Sequence, residues 1–292
     1  MKADPSFRNA SAGFSFYHPV ANVIISCLEK RINFINRGLF EVRNLQSENF
    51  VSEKFAITTY ARLIEGFMRD FTSLQQDVEV SVTGSAAITL GKTKVFESEY
   101  PSKYRMLFCP IDNITNFSRG LSECGTLISL QSILPSTAKA KYENVFSIFF
   151  SFKFQKFIYA ENKGFVYFEN KRMKALNRKT SLVFSLNTSA IIGNVISSEK
   201  FQTLRIKEIF SRESIVSDCF ELANGGIDAL IYVKIKLSEA IAVQMLAISL
   251  GFFTSEMPEA SGNYDVNADV NLVVGGENVI KLTAIEKFIK PN

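Results

Sequence analysis

Residues 109–121 read CPIDNITNFSRGL and directly follow the apolar run RMLF at residues 105–108. A short apolar run that ends at a proline is typical of a buried strand, because proline cannot donate a hydrogen bond to a central ladder. Asp is a strong helix cap, so Asp112 is also placed to cap a helix that begins near Asn113. The stretch therefore predicts a strand, a tight turn that contains Asp112, and a helix.

Two helices are predicted upstream of this stretch. Apolar residues recur at steps of three and four from Pro19 to about Gly38, and again from about Ser52 to Leu74. This is the period of an amphipathic helix. The single histidine, His18, precedes the first pattern, and with no visible catalytic partner it is interpreted as a local structural residue. Between the second helix and the run at 105–108, residues 77–84 (DVEVSVTG) alternate as a strand does.

Downstream segments predict one sheet and then an alternation of strands and helices. Four runs rich in Ile, Phe, Tyr and Val predict a mostly antiparallel sheet; they are GTLISLQSI, NVFSIFFSFKF, KFIYAENKG and VYFENKRM. After them, SLVFSLN and IDALIYVKI predict strands. Residues 199–210, ESIVSDCFELANGG and LSEAIAVQMLAISLG predict helices, and residues 258–265 predict a flexible loop. Strands that alternate with helices indicate an α/β fold with helices on the faces of a second sheet.

Composition narrows the class of protein. The chain has 292 residues, 47% of them hydrophobic and 21% charged, which is typical of a globular protein. A net charge of +4 is too small to indicate a nucleic-acid surface by itself. Four widely spaced cysteines form no zinc pattern, and no apolar run approaches the ~18 residues of a membrane span, so we expect a cytoplasmic protein with reduced thiols and no membrane partner. The start of the sequence lacks the apolar core of a secretory signal.

Several segments resemble the inositol monophosphatase family, and they stand in family order between roughly residues 18 and 251. Residues 109–121 resemble the signature DPIDGTTNFxxGL, and residues 18–47 resemble the first helix of the bacterial extragenic-suppressor (SuhB) branch. Residues 154–174 and 217–231 resemble the family's strand-turn-strand and its later helix and strand. The resemblance implies a layered, alternating α-β-α-β-α sandwich. We expect one compact unit with an extension at 1–17 and two lobes, at 18–180 and 181–292.

The resemblance also implies a magnesium-dependent phosphatase, but the residues depart from the family pattern. In the family, carboxylates hold two or three magnesium ions, which activate a water and neutralise phosphoryl oxygens. Here Cys109 replaces the first aspartate of the signature, and Asp112 is retained. Asn113 replaces the glycine and Ile114 replaces the threonine whose hydroxyl positions the water, whereas Thr115 matches. The resemblance therefore implies vestigial catalytic residues, Asp112 and Thr115.

The remaining family ligands are also altered. The acidic pair falls near residues 82–85, which contain no carboxylate, and a further carboxylate position falls near Phe55, with Glu53 close to it. The last ligand position matches Glu239, after Ser238, and the position that recognises substrate hydroxyls matches Tyr232. Glu79, Glu97 and Glu99 remain candidate replacements for the missing pair.

These departures define the candidate site. Asp112 and Glu239 are the candidate magnesium ligands, and the backbone amides of Asn113, Ile114 and Thr115 are the candidate phosphate site. Structural roles stay open beside these: Asp112 as a helix cap, Glu239 in the first turn of its helix, and Cys109 as a buried strand residue.

Two functions follow from the altered site. The first is a catalytically impaired, non-enzymatic scaffold or regulatory binding protein, with a homodimer or a protein or RNA partner in transcription implied by the extragenic-suppressor branch. The alternative is a magnesium-dependent phosphatase acting on inositol monophosphate or another small phosphomonoester.

Overall fold

A computed structural model describes residues 17–44, 49–98, 100–134, 141–162, 164–169, 171–173, 182–186, 204–211, 213–257 and 265–285. Three helices come first: α1 (Pro19–Glu29), α2 (Ile32–Asn44) and α3 (Asn49–Thr72). Their buried apolar residues pack on one face of the first sheet, where Phe67 contacts Phe108 with ring centroids 4.4 Å apart. These helices form the outermost layer on that side. None of the described helices is long and apolar enough to cross a membrane.

The first sheet has eight strands in the order β2-β1-β3-β4-β5-β6-β7-β8. The strands, with two short helices between them, are β1 (Val78–Val82), α4 (Ser85–Thr89), β2 (Lys94–Phe96), β3 (Tyr104–Cys109), α5 (Ile114–Ser118), β4 (Gly125–Leu134), β5 (Lys141–Ser151), β6 (Lys156–Glu161), β7 (Phe165–Phe168) and β8 (Lys171–Arg172). Only β1 and β3 run parallel, and every other neighbouring pair is antiparallel. The prediction of a mostly antiparallel sheet is confirmed.

The second sheet has five strands in the order β10-β9-β11-β13-β12. The elements of this half are β9 (Leu182–Leu186), β10 (Ile206–Ser211), α6 (Ile215–Ala223), β11 (Ala229–Lys236), α7 (Leu237–Ser249), β12 (Phe253–Thr254), β13 (Asp269–Gly275) and α8 (Glu277–Ile285). Helices α6 and α7 pack on β4 and β5 of the first sheet, and α7 also packs on β11 and β13 of the second. They therefore form a middle layer that both sheets share.

Helix α8 completes the layers. It packs on β13, and its Val279 belongs to the apolar cluster on the face of the second sheet that points away from α6 and α7. The order of layers is thus helices, sheet, helices, sheet, helix. The predicted α-β-α-β-α sandwich is confirmed.

Two sequence-based assignments were wrong. The helical pattern from Pro19 to Gly38 is two helices with a break at Lys30 and Arg31, where the Arg31 guanidinium donates to the carbonyl of Gly66 at 2.7 Å. The helix expected at 199–210 is described from residue 204 onward, where the chain forms strand β10 (Ile206–Ser211) and no helix. A register shift between Ile206 and Glu208 interrupts the alternation of this strand, so its apolar residues fall at helix-like spacing.

Other expectations lie beyond what the structure tests. The boundaries at 1–17, 18–180 and 181–292 stay predictions. The loop expected at 258–265 lies outside the described residues except for Asp265. All four cysteines are buried free thiols.

Candidate functional site

Two strand-to-helix turns form the centre of the candidate site. Strands β1 and β3 are parallel neighbours with Val82 opposite Phe108, so their following turns lie at the same edge of the sheet. The first turn, at residues 83–84, leads into α4, and the second, at residues 110–113, leads into α5. The carboxyl ends of parallel strands are where α/β folds place functional groups.

Three positions that the resemblance assigns to metal binding meet at these turns. A Cβ atom placed on Gly84 would lie 2.5 Å from Sγ of Cys109 and 3.1 Å from Oε1 of Glu239. Gly84 has a φ of +99°, a conformation that favours glycine. The fold thus brings the positions together, but Gly84 has no side chain and Cys109 has a thiol where an oxygen ligand was expected.

Cys109 is a buried residue at the end of β3, as one sequence interpretation had it, and its side chain faces the middle helix layer. Burial raises the pKa of this thiol well above its ordinary value, and the neighbouring Glu239 and Asp112 carboxylates raise it further. The thiol is therefore neutral at ordinary pH. A neutral thiol is a poor metal ligand and a poor nucleophile.

Asp112 is buried in the second turn, and both of its oxygens accept hydrogen bonds. Oδ1 accepts from the amide of Gly125 at 2.7 Å, and Oδ2 accepts from the Ser214 hydroxyl and the Val216 amide, each at 2.8 Å. Burial raises the pKa of Asp112 to about 6, against the opposing effect of these hydrogen bonds. Its carboxylate thus holds the first turn of α6 against the start of β4.

The expected cap of α5 was assigned to the wrong residue. The side chain of Asn113, not that of Asp112, caps α5 by accepting from the amide of Asn116 at 2.8 Å. Asp112 instead reaches the first turn of α6, about a hundred residues later in the chain. The free amides at the start of a helix bind whichever acceptor the tertiary fold brings near. The sequence around Asp112 does not show which helix its carboxylate will reach.

Glu239 is fully buried in the first turn of α7, as one sequence interpretation had it. Its Oε1 accepts from the amide of Ser85 at 2.9 Å, and its Oε2 accepts from the Ser85 hydroxyl at 2.9 Å and the Lys236 amide at 3.1 Å. Burial raises the pKa of Glu239, while these hydrogen bonds lower it. The carboxylate thus connects the start of α7 to the start of α4.

A second polar contact lies beside the first. The hydroxyl of Thr83 lies 3.0 Å from the hydroxyl of Ser238 and donates to Oδ1 of Asn267 at 2.6 Å. Thr83 and Ser238 are both buried. The turn after β1 and the start of α7 are therefore joined by two neighbouring contacts, one between Ser85 and Glu239 and one between Thr83 and Ser238.

The predicted catalytic and phosphate-binding residues of the α5 turn lie in different surroundings. Ile114 is half-buried and packs on the apolar core of the first helix layer. Thr115 is exposed on α5, whereas Asp112 is buried. A phosphate site at the amides of residues 113–115 stays a prediction.

The other candidate ligands are dispersed. Glu79 pairs with Arg105 on β3 at 3.8 Å, and Glu97 is exposed. Phe55 packs on the helix-side core, and the hydroxyl of Tyr232 donates to Asp218 at 2.9 Å. The side chain of Glu53, and Glu99, lie outside the described residues. Across the part of the chain that the structure describes, no group of three or more His, Cys, Asp or Glu side chains is arranged to hold a metal.

Sequence reasoning missed the hydroxyl partners of the two carboxylates. Ser214 carries a usable signal, since a serine directly before an apolar helical run is a typical cap. Ser85 carries no signal for this role beyond its place in the segment 82–85, to which the resemblance assigns the acidic pair. Ser214 also lines a cleft of about 450 Å³ together with Asn116, Arg119, Lys153, Phe154 and Glu213.

Comparison with known proteins identifies the fold. No protein-family model matches the sequence, and no curated protein matches it. Among solved structures, the extragenic suppressor protein SuhB from Bartonella henselae aligns with a TM-score of 0.65 at 16% identity, covering 94% of this chain and all of the other. An inositol monophosphatase family protein from Staphylococcus aureus aligns with a TM-score of 0.63 at 11% identity, covering 94% of each chain.

A third solved structure agrees with these two. The extragenic suppressor from Pyrococcus furiosus aligns with a TM-score of 0.60 at 17% identity, covering 90% of this chain and 97% of the other. The chain therefore has the fold of the inositol monophosphatase family along nearly its whole length.

Proposed function

We propose that this protein is a non-catalytic member of the inositol monophosphatase fold, a SuhB-like scaffold or regulatory binding protein whose magnesium centre has been replaced by protein contacts. The observation that carries the proposal is the state of Glu239. Its carboxylate is fully buried and accepts three hydrogen bonds from Ser85 and Lys236.

The donor set does not fit magnesium. Mg²⁺ requires near-octahedral oxygen ligands and usually keeps several waters. Glu239 and Asp112 each present their oxygens to N–H and O–H donors of the protein, and Cys109 and Gly84 supply no oxygen side chain between them. An ion would have to displace these donors and leave them buried without acceptors, at about 1–3 kcal/mol each.

The side chains around the turns offer no replacement chemistry. Ile114 has no hydroxyl with which to orient a water, and the Cys109 thiol, with its raised pKa, is not an effective nucleophile. Water activation and charge neutralisation are the two tasks of a phosphomonoesterase site. The described residues at this centre supply neither.

The partner of such a protein is a further part of the proposal. A second copy of the chain, or a protein or RNA partner in transcription, follows from the resemblance to the extragenic-suppressor branch, and a cytoplasmic location goes with it. The net charge of +4 does not by itself favour RNA.

A magnesium-dependent phosphomonoesterase is the second candidate, and the cleft that Ser214 lines is the observation that favours it. Its volume of about 450 Å³ suits a small ligand. Ser214 also donates to Asp112, so the cleft adjoins one of the candidate ligands.

Phosphate release from inositol monophosphate discriminates between the two functions. We expect the purified wild-type protein to show no turnover above that of Asp112→Asn, with millimolar magnesium or with a chelator. The reason is that each lost catalytic effect raises the barrier by several kcal/mol, and each 1.36 kcal/mol lowers the rate tenfold. Magnesium-dependent turnover that Asp112→Asn abolishes would establish the phosphatase instead.

A further inference from the structure

We infer that Glu239 performs, within the protein itself, the cross-linking that metal ions would otherwise provide at this centre: it joins the turn after β1 to the start of α7. This inference rests on the premise of the proposed function that no ion occupies the centre. It goes beyond that function by assigning the centre a structural task. The joint comprises Thr83 and Ser85 on one side and Ser238 and Glu239 on the other.

The first argument is the reach of the contact. Ser85 and Glu239 are separated by 154 residues, and Ser85 gives the carboxylate both its amide and its hydroxyl at 2.9 Å. The same carboxylate accepts the amide of Lys236 at the start of α7. One side chain therefore fixes the starts of two helices, one beside the first sheet and one in the middle layer.

The second argument is that the neighbouring contact extends to the second sheet. Thr83 binds Ser238 and also Asn267, and Asn267 lies two residues before β13 begins at Asp269. The amide of Ser238 donates to the carbonyl of Val266 at 2.9 Å. The joint thus connects β1 of the first sheet, α7, and the segment that leads into the second sheet.

The third argument concerns charge. The ammonium of Lys236 pairs with Asp269 at 2.6 Å, so Lys236 contributes its backbone amide to Glu239 while its charge is engaged elsewhere. The carboxylate is held by neutral donors and by the positive end of α7, which favours an acid in the first turn. Removing a buried carboxylate that accepts several hydrogen bonds would destabilise the folded state, because its donors would be left unsatisfied.

The fourth argument is space. The missing side chain of Gly84 leaves room that the Cys109 thiol and the Glu239 carboxylate already fill. The thiol also donates weakly to Oε1 of Glu239 at 4.0 Å. Protein atoms therefore occupy the place where a side chain at Gly84 would lie.

Equilibrium unfolding in urea tests the joint. Glu239→Gln keeps the shape of the side chain but replaces one acceptor oxygen with a donor, so we expect the folded-to-unfolded ratio to fall about tenfold or more. Glu277→Gln is the matched control, because Glu277 also lies in the first turn of a helix but is 56% exposed and pairs with Lys281. We expect less than about a threefold change for it.

A double-mutant cycle isolates the contact. Ser85→Ala removes the hydroxyl and keeps the amide, so it is the milder variant if Glu239→Gln does not fold. Ser85→Ala lowers the folded-to-unfolded ratio by some factor in the wild type. In the Glu239→Gln background we expect this factor to be smaller by about threefold or more. Additive effects, or equal stability of Glu239→Gln and Glu277→Gln, would overturn the joint.

The metal arm separates this inference from the proposed function. We expect neither a chelator nor millimolar magnesium to move the unfolding midpoint of the wild type. A midpoint that magnesium raises in the wild type, and not in Glu239→Gln, would overturn both. Insensitivity to magnesium combined with a neutral Glu239→Gln would overturn the joint alone.

Discussion

Asp112 and Glu239 are two buried carboxylates at neighbouring turns, and they are held in different ways. Asp112 stands on the β3 to α5 turn and accepts donors from two other segments, Gly125 at the start of β4 and residues 214–216 at the start of α6. Glu239 stands in α7 and accepts donors from its own helix start and from the first turn of α4.

The difference shows what decides the role of a buried carboxylate. Among the described residues, no Lys, Arg or His side chain lies within ion-pair distance of either carboxylate. Burial raises the pKa of both. Each is kept in place by backbone amides and serine hydroxyls. Free N–H groups at the starts of α6 and β4 hold Asp112, and those at the starts of α4 and α7 hold Glu239, so each carboxylate joins separate elements of the fold.

The largest expected effect is that of Asp112→Ala. The substitution leaves the amides of Gly125 and Val216 and the hydroxyl of Ser214 buried without their acceptor, so we expect the free energy of unfolding to fall by about 4 kcal/mol. Urea denaturation measures it. Asp269→Ala, which removes a half-exposed partner of Lys236, is the control and should cost less than about 1 kcal/mol. Equal losses in the two variants would contradict the role assigned to Asp112.

A smaller effect is expected from filling the space at Gly84. Gly84→Ala should cost about 3 kcal/mol, because its φ of +99° disfavours a side chain and the new Cβ would lie 2.5 Å from Sγ of Cys109. Gly91→Ala has a comparable backbone strain at φ +61° but no atom within 4 Å, so it should cost about 1 kcal/mol. If Cys109→Ala does not reduce the cost of Gly84→Ala, the crowding between the two turns is not the cause.

The smallest expected effect is a pH dependence of the free energy of unfolding, which distinguishes the contribution of Asp112 from that of Glu239. Because burial raises the pKa of Asp112 to about 6 from 3.8, the folded protein binds this proton more tightly than the unfolded chain does. The stabilisation is full below the unfolded pKa and is lost as pH rises through about 6, at no more than about 1.4 kcal/mol per pH unit. Asp112→Asn should remove this part of the slope and leave the part due to Glu239.

Unfolding midpoints between pH 4 and 7, without magnesium, measure the slope in both proteins. Adding magnesium to the wild type should leave the slope unchanged, since a bound ion would lower the pKa of a coordinating carboxyl. A slope that is the same in wild type and Asp112→Asn would show that Asp112 does not titrate in this range.

The fold was largely predictable from the sequence where long apolar patterns were regular. The strand runs from 105 to 168 and the helix with its following strand at 215–236 are where the patterns placed them. Prediction failed for β10, whose register shift breaks the alternation. No prediction was made for β13 and α8, or for the short edge strands β2 and β12, which have three and two residues. Such short elements carry too few residues to establish a period.

The site was predictable only as a set of residues. The resemblance identified Asp112, Glu239, the substitution at Cys109 and the segment 82–85. It did not show that Thr83 and Ser85 of this segment bind residues near the start of α7, and nothing in the sequence marks Asn267. The contacts of Thr83 and Ser85 with Ser238, Glu239 and Asn267 span 154 to 184 positions. The tertiary structure alone brings such residues together.

The sequence by itself indicated an α/β fold through its periodicity, and its resemblance to the family implied the layered sandwich. It also showed that Cys109 and residues 82–85 carry no carboxylate, because periodicity and side-chain identity are local properties. The tertiary structure decided what the surviving carboxylates bind. Whether an Asp or Glu meets an ion, a cap or a hydroxyl depends on which helix start the fold places within about 3 Å of it, and that distance is set by the packing of the two sheets on the shared helices α6 and α7.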